Sequence, residues 1–528
     1  MSAADPIELE IFRHLFASIA EEMGVRLMRS AYSPNIKERR DHSCVLVDAN
    51  AEIIAQAAHI PVHLGSAPMS VQAALEAFPG DALSPNDVIV LNDPFAGGTH
   101  LPDITLVAPC FVADESTPRF FVANRAHHAD VGGVTAGSMP ISRSIHEEGV
   151  RITPRRLDEE TIAWICEQSR TPEERRGDLN AQLAAIHLGV QRMRELCERY
   201  NPDVVSQRAA ELQGYTERIM RHIIGQLADG VYRFEDVMDD DGTGLRDLTI
   251  CCDLTVRGDT ARVDLSRTAD QSPGPVNAVR AIVVSAVNYA FRCLAPADLP
   301  SNGGVLRPIQ VITRAGSLID AQYPAAVAAG NVETSQRIVD VLFGALAQAA
   351  PDLIPAASCG SMNNITIGGL DSRRGGAPYA YYETIAGGAG ASPEGPGADA
   401  VHTHMTNTLN TPVEALEHAY PFRVEAYRIR NSVGGAGRFR GGRGVERVYA
   451  FTEAAQVTLL TERRSHAPYG LNGGKDGTRG RNTLLSQGEE RALPAKVTLE
   501  VEPGDTLTVE TPGGGGWGSA PIEGDDHP

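Results

Sequence analysis

Two β-branched runs that each lead into a polar, histidine-bearing segment constrain the fold of this chain more than any other feature. The first run covers residues 87–91 and leads into residues 92–103; the second covers residues 120–122 and leads into residues 123–130. Runs of this kind predict strands. Each polar segment therefore follows the end of a strand, where loops on a rigid scaffold often carry catalytic side chains.

The first polar segment carries His100 and Asp103 shortly after Gly97 and Gly98. A glycine pair permits a tight backbone turn, which would direct both side chains into one cavity. Imidazole and carboxylate groups are the usual ligands of a borderline divalent metal. Because no closed local motif such as His-Glu-x-x-His is present, the spacing supports equally a metal site and a set of hydrogen-bonded loop residues.

Histidines are concentrated in the first part of the chain. Eight of the fifteen fall within residues 1–150, where Asp41, Asp103 and Asp130 also lie. A single histidine is more often a structural residue than a metal ligand. The clustering beside carboxylates weakens that explanation here without removing it.

The length and the changing periodicity predict several domains. A chain of 528 residues is too long for one hydrophobic core. Helical spacing dominates the first part, and short alternating strands with glycine turns dominate the last. We predict a mixed α+β fold with an N-terminal metal-site domain at residues 1–200, a central α/β domain at 201–422 and a β-rich C-terminal domain at 423–528. The acidic tail after Pro521 is predicted to be disordered.

Charge and cysteine content limit the partners and the compartment. The net charge of −20 argues against binding to nucleic acid or to an anionic membrane. The eight cysteines form no Cys-x-x-Cys pair, which indicates reduced thiols. No signal peptide and no apolar run long enough to span a bilayer are visible. We therefore expect a soluble cytoplasmic protein.

Four further segments give local predictions. Asn331 is expected to cap the helix that begins in residues 328–334, where free N–H groups could also hold an anion. Residues 360–397 are rich in glycine and predict either loops that line a pocket or a polar linker. The aspartates at residues 239–241 predict a solvated turn, and residues 511–518 predict a loop that lets backbones approach closely.

Several of these segments together resemble the hydantoinase B/oxoprolinase family, and the resemblance covers nearly the whole chain. No phosphate-loop or dinucleotide motif is complete, so any nucleotide chemistry would be carried by another chain. The matching segments are KERRDHS (37–43), HIPVHLG (59–65), NDP through Asp103 (92–103), RAHHADVGG (125–133), EEG (147–149), GNVET (330–334), YET (382–384) and TPGGGGWG (511–518).

The resemblance implies one subunit of an ATP-dependent enzyme. A hydantoinase A-like partner would use ATP and magnesium to activate the substrate, in a hetero-oligomer such as A2B2. The B-type subunit would complete the reaction at a divalent metal: manganese, iron or zinc. Such a metal lowers the pKa of water and can supply hydroxide near neutral pH.

The resemblance also assigns the site residues, motif by motif. It implies Asp41, His100, Asp103 and His127 as metal ligands, with His127 chosen over His128 by its place in the motif. Three residues are further candidates for proton transfer or for orienting the ligands: His63, His128 and Glu148.

Three functions are consistent with this assignment. The first is ring opening of a cyclic amide such as a hydantoin, 5-oxoproline or a lactam. The second is carboxylation of a ketone with bicarbonate, as in subunits related to acetone or acetophenone carboxylase. The third is a non-catalytic assembly subunit with an inert pocket.

Overall fold

A computed structural model of the chain describes residues 5–57, 59–63, 65–113 and 115–520. Helices and strands alternate up to the centre of the chain, and strands predominate after it. The α-helices are α1 Pro6–Ser30, α2 Pro34–Lys37, α3 Ala67–Ala77, α4 Glu159–Gln168, α5 Pro172–Tyr200, α6 Pro202–Ile224, α7 Arg280–Arg292, α8 Ser335–Ala349 and α9 Val413–Ala419.

The strands form four sheets within the described residues. They are β1 His42–Asp48, β2 Ile53–Gln56, β3 Ile89–Leu91, β4 Asp103–Cys110, β5 Phe120–His127, β6 Arg155–Arg156, β7 Gly230–Asp240, β8 Arg246–Arg257, β9 Thr260–Asp264, β10 Ile309–Ile312, β11 Asn364–Asp371, β12 Ala377–Glu383, β13 Phe422–Ile429, β14 Val445–Phe451, β15 Ala455–Leu460, β16 Arg481–Ser486, β17 Glu489–Leu493, β18 Lys496–Val501 and β19 Thr506–Glu510.

The first sheet contains the strands predicted from the two β-branched runs. Its strand order is β2-β1-β5-β4-β3-β6. β4 pairs antiparallel with β5, so that Asp103 lies opposite His127. β1 pairs with the other edge of β5 and places His42 opposite Ala126. Helices α1 and α5 pack on this sheet and against each other, and α3 also packs on it.

Helix α1 follows directly from the local sequence. The Asp5 carboxylate accepts a hydrogen bond from the Ile7 N–H at 3.0 Å, and Pro6 occupies the first turn, where a missing N–H costs nothing. The helix ends at Ser30. Its apolar face recurs at helical spacing and includes the buried residues Phe12, Phe16, Ile19, Met23 and Leu27.

Three further sheets complete the architecture. The second has the strand order β10-β9-β8-β7, and helix α8 packs against β7 and β8. The third has the order β12-β11-β15-β18, and the fourth β13-β14-β19-β16-β17. The mixed α and β composition and the strand-rich C-terminal region are confirmed.

The hydrophobic cores cross the predicted domain boundaries. The largest core extends from Phe12 to Leu460 and contains side chains from both sides of residue 200. A second core joins the third and fourth sheets and extends from Ile365 to Val509. The boundaries at residues 200 and 422 stay predictions, while the packing ties the neighbouring parts together.

Glycine-rich segments of the C-terminal half pack backbone against backbone. A Cβ atom at Gly388 would lie 2.0 Å from the Gly442 carbonyl oxygen, and one at Gly442 would lie 1.9 Å from that of Ala398. A Cβ at Gly514 would lie 2.0 Å from the Ala389 carbonyl oxygen. Only glycine permits such an approach, so the prediction for residues 511–518 is confirmed.

Two local predictions are wrong. Residues 360–397 are not loops throughout, because β11 and β12 form an antiparallel pair within them, although Tyr382 and Thr384 of this stretch do line a cavity. The predicted solvated turn at residues 239–241 is instead largely strand, since β7 continues to Asp240. Asp239 is buried, and its carboxylate accepts hydrogen bonds from the N–H groups of residues 464–466. Backbone donors thus replace the expected solvent.

Three remaining expectations concern the compartment and the chain end. Each of the eight cysteines is a free thiol. Across the described part of the chain, no helix combines the length and the apolar character needed to cross a membrane. The predicted disordered tail after Pro521 lies outside the described residues.

A buried ion pair between the third and fourth sheets yields a stability prediction. Arg447 on β14 donates to Glu383 at the end of β12 at 2.5 Å, and both side chains are fully buried. Arg447→Met leaves the carboxylate without its cation, so we expect the free energy of unfolding to fall by about 3–5 kcal/mol. Urea unfolding followed by circular dichroism measures the difference.

The matched control for this prediction is Arg428→Met. Arg428 pairs with Glu446 across the β13–β14 ladder, but its side chain is 66% exposed. An exposed pair contributes only about 0–1 kcal/mol. Equal losses in the two variants would contradict the role assigned to the buried pair.

Candidate metal centre

Asp103 lies at the centre of a cluster of imidazoles. Its Oδ1 atom lies 3.1 Å from His100 Nε2 and 3.4 Å from His127 Nδ1. Its Oδ2 atom lies 3.3 Å from His63 Nε2. His100, Asp103 and His127 each offer one ligand atom, and these atoms lie within 4.8 Å of one another. Three predicted ligands therefore converge, and a third imidazole joins them.

Strand pairing and one turn explain this convergence. Asp103 and His127 are direct partners in the β4–β5 ladder. His100 precedes β4 and follows Gly97, which has a φ of +83°. A Cβ at Gly97 would lie 2.3 Å from the Met69 carbonyl oxygen, so the turn requires glycine. The predicted tight turn at this position is confirmed.

The orientation of each cluster member is held by a neighbour. His100 Nδ1 lies 3.3 Å from the Ala328 carbonyl oxygen, an arrangement typical of metal-binding histidines. The Thr99 hydroxyl donates to Asp103 Oδ2 at 2.7 Å. The His127 ring stacks on Tyr382 with a centroid separation of 4.5 Å and an interplanar angle of 14°.

Electrostatics within the cluster favour ionised Asp103. Burial alone would raise the pKa of Asp103, but the neighbouring His100 and His63 outweigh burial and hold that pKa well below its ordinary value. Burial would lower the pKa of His100, and the Asp103 carboxylate raises it instead. For His127 burial prevails and lowers the pKa.

Two buried atoms of the cluster make no well-aligned hydrogen bond: His127 Nε2, and Asp103 Oδ1 despite its imidazole neighbours at 3.1 and 3.4 Å. Buried polar atoms are nearly always satisfied, so such a pair at one place calls for an explanation. An acidic oxygen and an imidazole nitrogen are both suitable donors to a divalent cation. The cluster therefore fits a metal by its chemistry.

A small cavity adjoins the cluster. It offers about 20 Å³, which is room for a single ion or water molecule. The lining residues, besides Asp103 and His127, include Asp41, His63, Asn331, Tyr382, Thr384 and Thr406.

Asp41, the fourth predicted ligand, lies at the same cavity but outside the compact trio. Its backbone carbonyl accepts a hydrogen bond from the His127 N–H at 3.0 Å. Its Oδ2 atom lies 3.7 Å from the Arg39 guanidinium. Asp41 can therefore share its charge between a buried arginine and a cation in the cavity.

His128 lies outside the cluster. Its Nε2 atom lies 2.8 Å from Gln182 Oε1, because consecutive residues at a strand end point to opposite faces of the sheet. Burial, followed by the charge of Arg175, lowers the pKa of His128 to about 3. His128 thus does not line the cavity, and its part in proton transfer or in orienting the ligands stays a prediction that the geometry does not favour.

Glu148 contacts the backbone segment that holds His100. Its Oε1 atom accepts hydrogen bonds from the Val327 and Ala328 N–H groups at 2.8 and 3.0 Å, and Ala328 in turn contacts His100. Burial raises the pKa of Glu148 to about 7. The geometry assigns Glu148 an orienting rather than a direct role.

His63 lies in the cluster and is held by a second contact. Its Nδ1 atom lies 2.9 Å from the Ser43 hydroxyl, while Nε2 faces Asp103. Of the three residues proposed for proton transfer or orientation, His63 is the one that lines the cavity.

Asn331 was predicted as a helix cap and instead contacts the cluster. It lies in a π-helical turn, Gly330–Thr334, that precedes α8. Its Nδ2 atom lies 3.0 Å from His100 Nε2 and 3.5 Å from Asp103 Oδ2. The π turn inserts an extra residue and re-aims the side chain, as is common at functional sites.

The sequence did not single out two large residues at or next to the cavity, Tyr382 and Arg39. Arg39 is fully buried, and its guanidinium lies over the Tyr382 ring at 4.7 Å from the centroid. Both residues lie in segments that match the family, KERRDHS and YET. Their place in these motifs, for Arg39 next to Asp41, is the sequence feature that could have identified them.

A buried carboxylate lies in the same π-helical turn. Glu333 Oε1 accepts from Asn364 Nδ2 at 2.6 Å, and Asn364 Oδ1 accepts from the Tyr382 hydroxyl at 2.9 Å. Burial, with the Glu462 carboxylate nearby, raises the pKa of Glu333 to about 7. This chain of contacts connects the turn to the ring that stacks on His127.

Comparison with known proteins gives consistent matches. The family profile described as Hydantoinase B/oxoprolinase matches residues 5–520. An uncharacterised protein of Methanocaldococcus jannaschii is 39% identical over 98% of this chain and 91% of its own length. The 5-oxoprolinase 1 of Arabidopsis thaliana is 40% identical over 98% of this chain but only 42% of its own length. The chain thus spans less than half of that relative.

Two solved structures share the fold. The ATP-dependent caprolactamase of Pseudomonas jessenii superposes with a TM-score of 0.90 and 28% identity, covering 98% of this chain and 92% of that one. A nucleotide-free acetone carboxylase superposes with a TM-score of 0.88 over 97% of this chain and 76% of that one. At 18% identity the second match shows the fold alone.

The raised pKa of Glu333 yields a pH prediction. Its folded-state pKa lies above the ordinary value, so the protonated form stabilises the fold at low pH, and this stabilisation is lost as the pH rises through about 7. The unfolding free energy of the wild type, relative to Glu333→Gln, should fall by about 2–3 kcal/mol between roughly pH 5 and pH 8. Urea titrations at both pH values measure it.

The control for this prediction is Glu425→Gln at an exposed position of β13. It should show no comparable change with pH. If the difference between the wild type and Glu333→Gln stays constant with pH, Glu333 does not hold a proton in the folded state.

Proposed function

The chain belongs to the hydantoinase B/oxoprolinase family, and we propose that it forms the metal-dependent half of an ATP-dependent enzyme that opens a cyclic amide. The observation that carries this proposal is the convergence of His100, Asp103 and His127 beside a cavity of single-ion size. The names of its relatives support the reaction class: a 5-oxoprolinase in sequence and a caprolactamase in structure.

We propose that the cation is held by His100, Asp103 and His127, with Asp41 completing the set from the facing wall of the cavity. The Asp103 Oδ1 and His127 Nε2 atoms, which make no well-aligned hydrogen bond, support this assignment. Bound there, a divalent metal would supply Lewis acidity toward an oxygen atom of the substrate or of water. Manganese, iron and zinc all accept such ligands.

The residues of this chain have separable tasks in the proposed reaction. Asp103, held ionised by its imidazole neighbours, concentrates negative charge at the cavity. His63 can hold a proton at Nε2 while the Ser43 hydroxyl fixes its other nitrogen. Glu148 and Asn331 keep His100 in place through the Ala328 backbone and a direct contact. The apolar surroundings strengthen each of these interactions.

ATP-dependent activation is assigned to a partner subunit of the A type. The chain spans 42% of the Arabidopsis 5-oxoprolinase, so the remainder of that longer polypeptide is the natural counterpart of a separate partner. Phosphorylation of the amide oxygen would make it a leaving group, and water attack would follow. The eight free thiols support a cytoplasmic location for the complex.

Metal content tests the cluster directly. We expect the purified protein to contain about one divalent ion per chain, and His127→Ala or Asp103→Ala to lower that content at least about tenfold. Elemental analysis by mass spectrometry measures it. The matched control is His128→Ala, which changes the adjacent histidine on the other face and should keep the metal. Unchanged metal in all three variants would remove the basis of the proposal.

Turnover tests the reaction class. We expect little activity from the chain alone, and release of an open-chain amino acid from 5-oxoproline when an A-type partner, ATP and magnesium are added. Product analysis by mass spectrometry measures it. Incorporation of labelled bicarbonate into a ketone would instead indicate the carboxylase. If activity persists when His127→Ala has removed the metal, the chain would be an assembly subunit.

A further inference from the structure

Two threonines that line the cavity, Thr384 and Thr406, have no part in the proposed reaction. A third threonine, Thr408, joins them through its hydroxyl. The Thr384 and Thr408 hydroxyl oxygens are 2.9 Å apart, and those of Thr406 and Thr408 are 3.3 Å apart. All three residues are buried, which makes every hydroxyl hydrogen significant for the energy of the site.

A buried arginine favours one direction of this hydroxyl chain. Arg39 donates through its terminal nitrogens to the Tyr382 carbonyl oxygen and to the Thr384 hydroxyl oxygen, each at 3.1 Å. A guanidinium can only donate, so Thr384 accepts from Arg39. Donation onward from Thr384 to Thr408 aligns the hydroxyl dipoles with the guanidinium charge, which favours this order.

A count of hydrogens leaves one donor over. The three threonine hydroxyls carry three hydrogens, but only two hydrogen bonds join them. One hydroxyl hydrogen therefore has no partner among the three threonines. The order Arg39 to Thr384 to Thr408 to Thr406 polarises each hydroxyl in the same sense. The spare hydrogen then belongs to Thr406, which lines the cavity.

The cavity consequently has two chemically different sides. The cluster of Asp103 and its imidazoles presents acceptors that suit a cation. The hydroxyl chain presents a donor backed by the positive charge of Arg39, which suits a negatively charged oxygen.

We propose that Arg39, Thr384, Thr408 and Thr406 form an oxyanion subsite that binds one oxygen of an anionic group on the activated substrate. The group is a carboxylate, as on 5-oxoproline, or the phosphoryl group added by the partner subunit. Thr406 touches the oxygen, whereas Arg39 acts through the hydroxyls as a positioning residue. The identity of the substrate group rests on the proposed function. The preference for an anion rests on the bound cation, because the Asp41 and Asp103 carboxylates that line the cavity would otherwise repel an anion.

The cavity of about 20 Å³ has room for one ion or one oxygen atom. An oxygen bound beside the cation therefore requires the segment that carries Thr406 to move outward. Thr406 and Thr408 lie between Val401 and helix α9, in a segment without helix or strand. Movement of that segment would admit the rest of the substrate without disturbing β4 and β5.

The test uses Thr406→Val, which removes the hydroxyl and keeps the shape of the side chain. Calorimetric titration of the metal-loaded protein with inorganic phosphate, 5-oxo-L-proline and 2-pyrrolidone separates the two sources. We expect the wild type to bind at least one of the two anions, and Thr406→Val to weaken that binding by about 10- to 100-fold. Neutral 2-pyrrolidone, which has the same ring without the carboxylate, should be unaffected.

Two further variants sharpen the test. Thr384→Val cuts the chain next to Arg39 but leaves the Thr406 hydroxyl, so we expect a smaller loss of about 3- to 10-fold. Thr458→Val is the matched control: Thr458 is equally buried, and its hydroxyl lies 2.9 Å from that of Thr498 in the third sheet. Binding should be unchanged in this variant.

The outcomes distinguish the subsite from the proposed function. Loss of phosphate binding in Thr406→Val assigns the phosphoryl group, and loss of 5-oxoproline binding assigns the carboxylate. Equal binding in Thr406→Val and the wild type, or no anion binding by the wild type, overturns the subsite. If the wild type fails to open any lactam but the anion effect persists, the proposed function falls and the subsite stands.

Discussion

The antiparallel pairing of β4 with β5 sets the geometry on which the candidate centre depends. It places Asp103 directly opposite His127 and, through β1, brings Asp41 against the same strand end. Side chains alternate along a strand, so a slip of one residue in this ladder would turn the two ligands to different faces. The helices packed on the sheet resist such a slip, because it would also move the apolar side chains of β4 and β5 out of their contacts with those helices.

Two irregular backbone segments bring further side chains to the cluster from outside the sheet. The left-handed turn at Gly97 brings His100 back toward Asp103, and the π-helical turn before α8 aims Asn331 at both. The same turn places Glu333 in contact with Asn364, behind Tyr382. The cluster is thus supported from three chain segments that are distant in sequence. Buried polar groups of this kind are tolerated only when neighbours hold them in fixed geometry.

The accuracy of sequence-based prediction depended on how local each determinant was. The Gly97 turn and the two strands of the β-branched runs follow from neighbouring residues and were predicted correctly. Asp103 and residues 123–127 were expected after the strands and instead lie within β4 and β5, because cross-strand pairing extends the strands into the polar segments. Asn331 was misassigned because a cap and a π turn share the same local sequence, and only packing against His100 separates them. The part of Arg39 could not be predicted, since its contacts lie about 340 residues away. The family motifs supplied the candidate ligands, and the structure places His127 in the cluster and His128 outside it.

The glycine-rich segments that pack backbone against backbone in the C-terminal half affect the order in which the chain folds. Residues near the end of the described chain accept backbone hydrogen bonds from regions that precede them by 40 to more than 120 residues: Gly388 N–H donates to the Pro512 carbonyl, Leu471 N–H to that of Gly516 and Ala391 N–H to that of Gly515. Contacts so remote in sequence form late and slowly. During synthesis, this layer must wait until residues 512–516 have left the ribosome, and until then its earlier segments lack their partner.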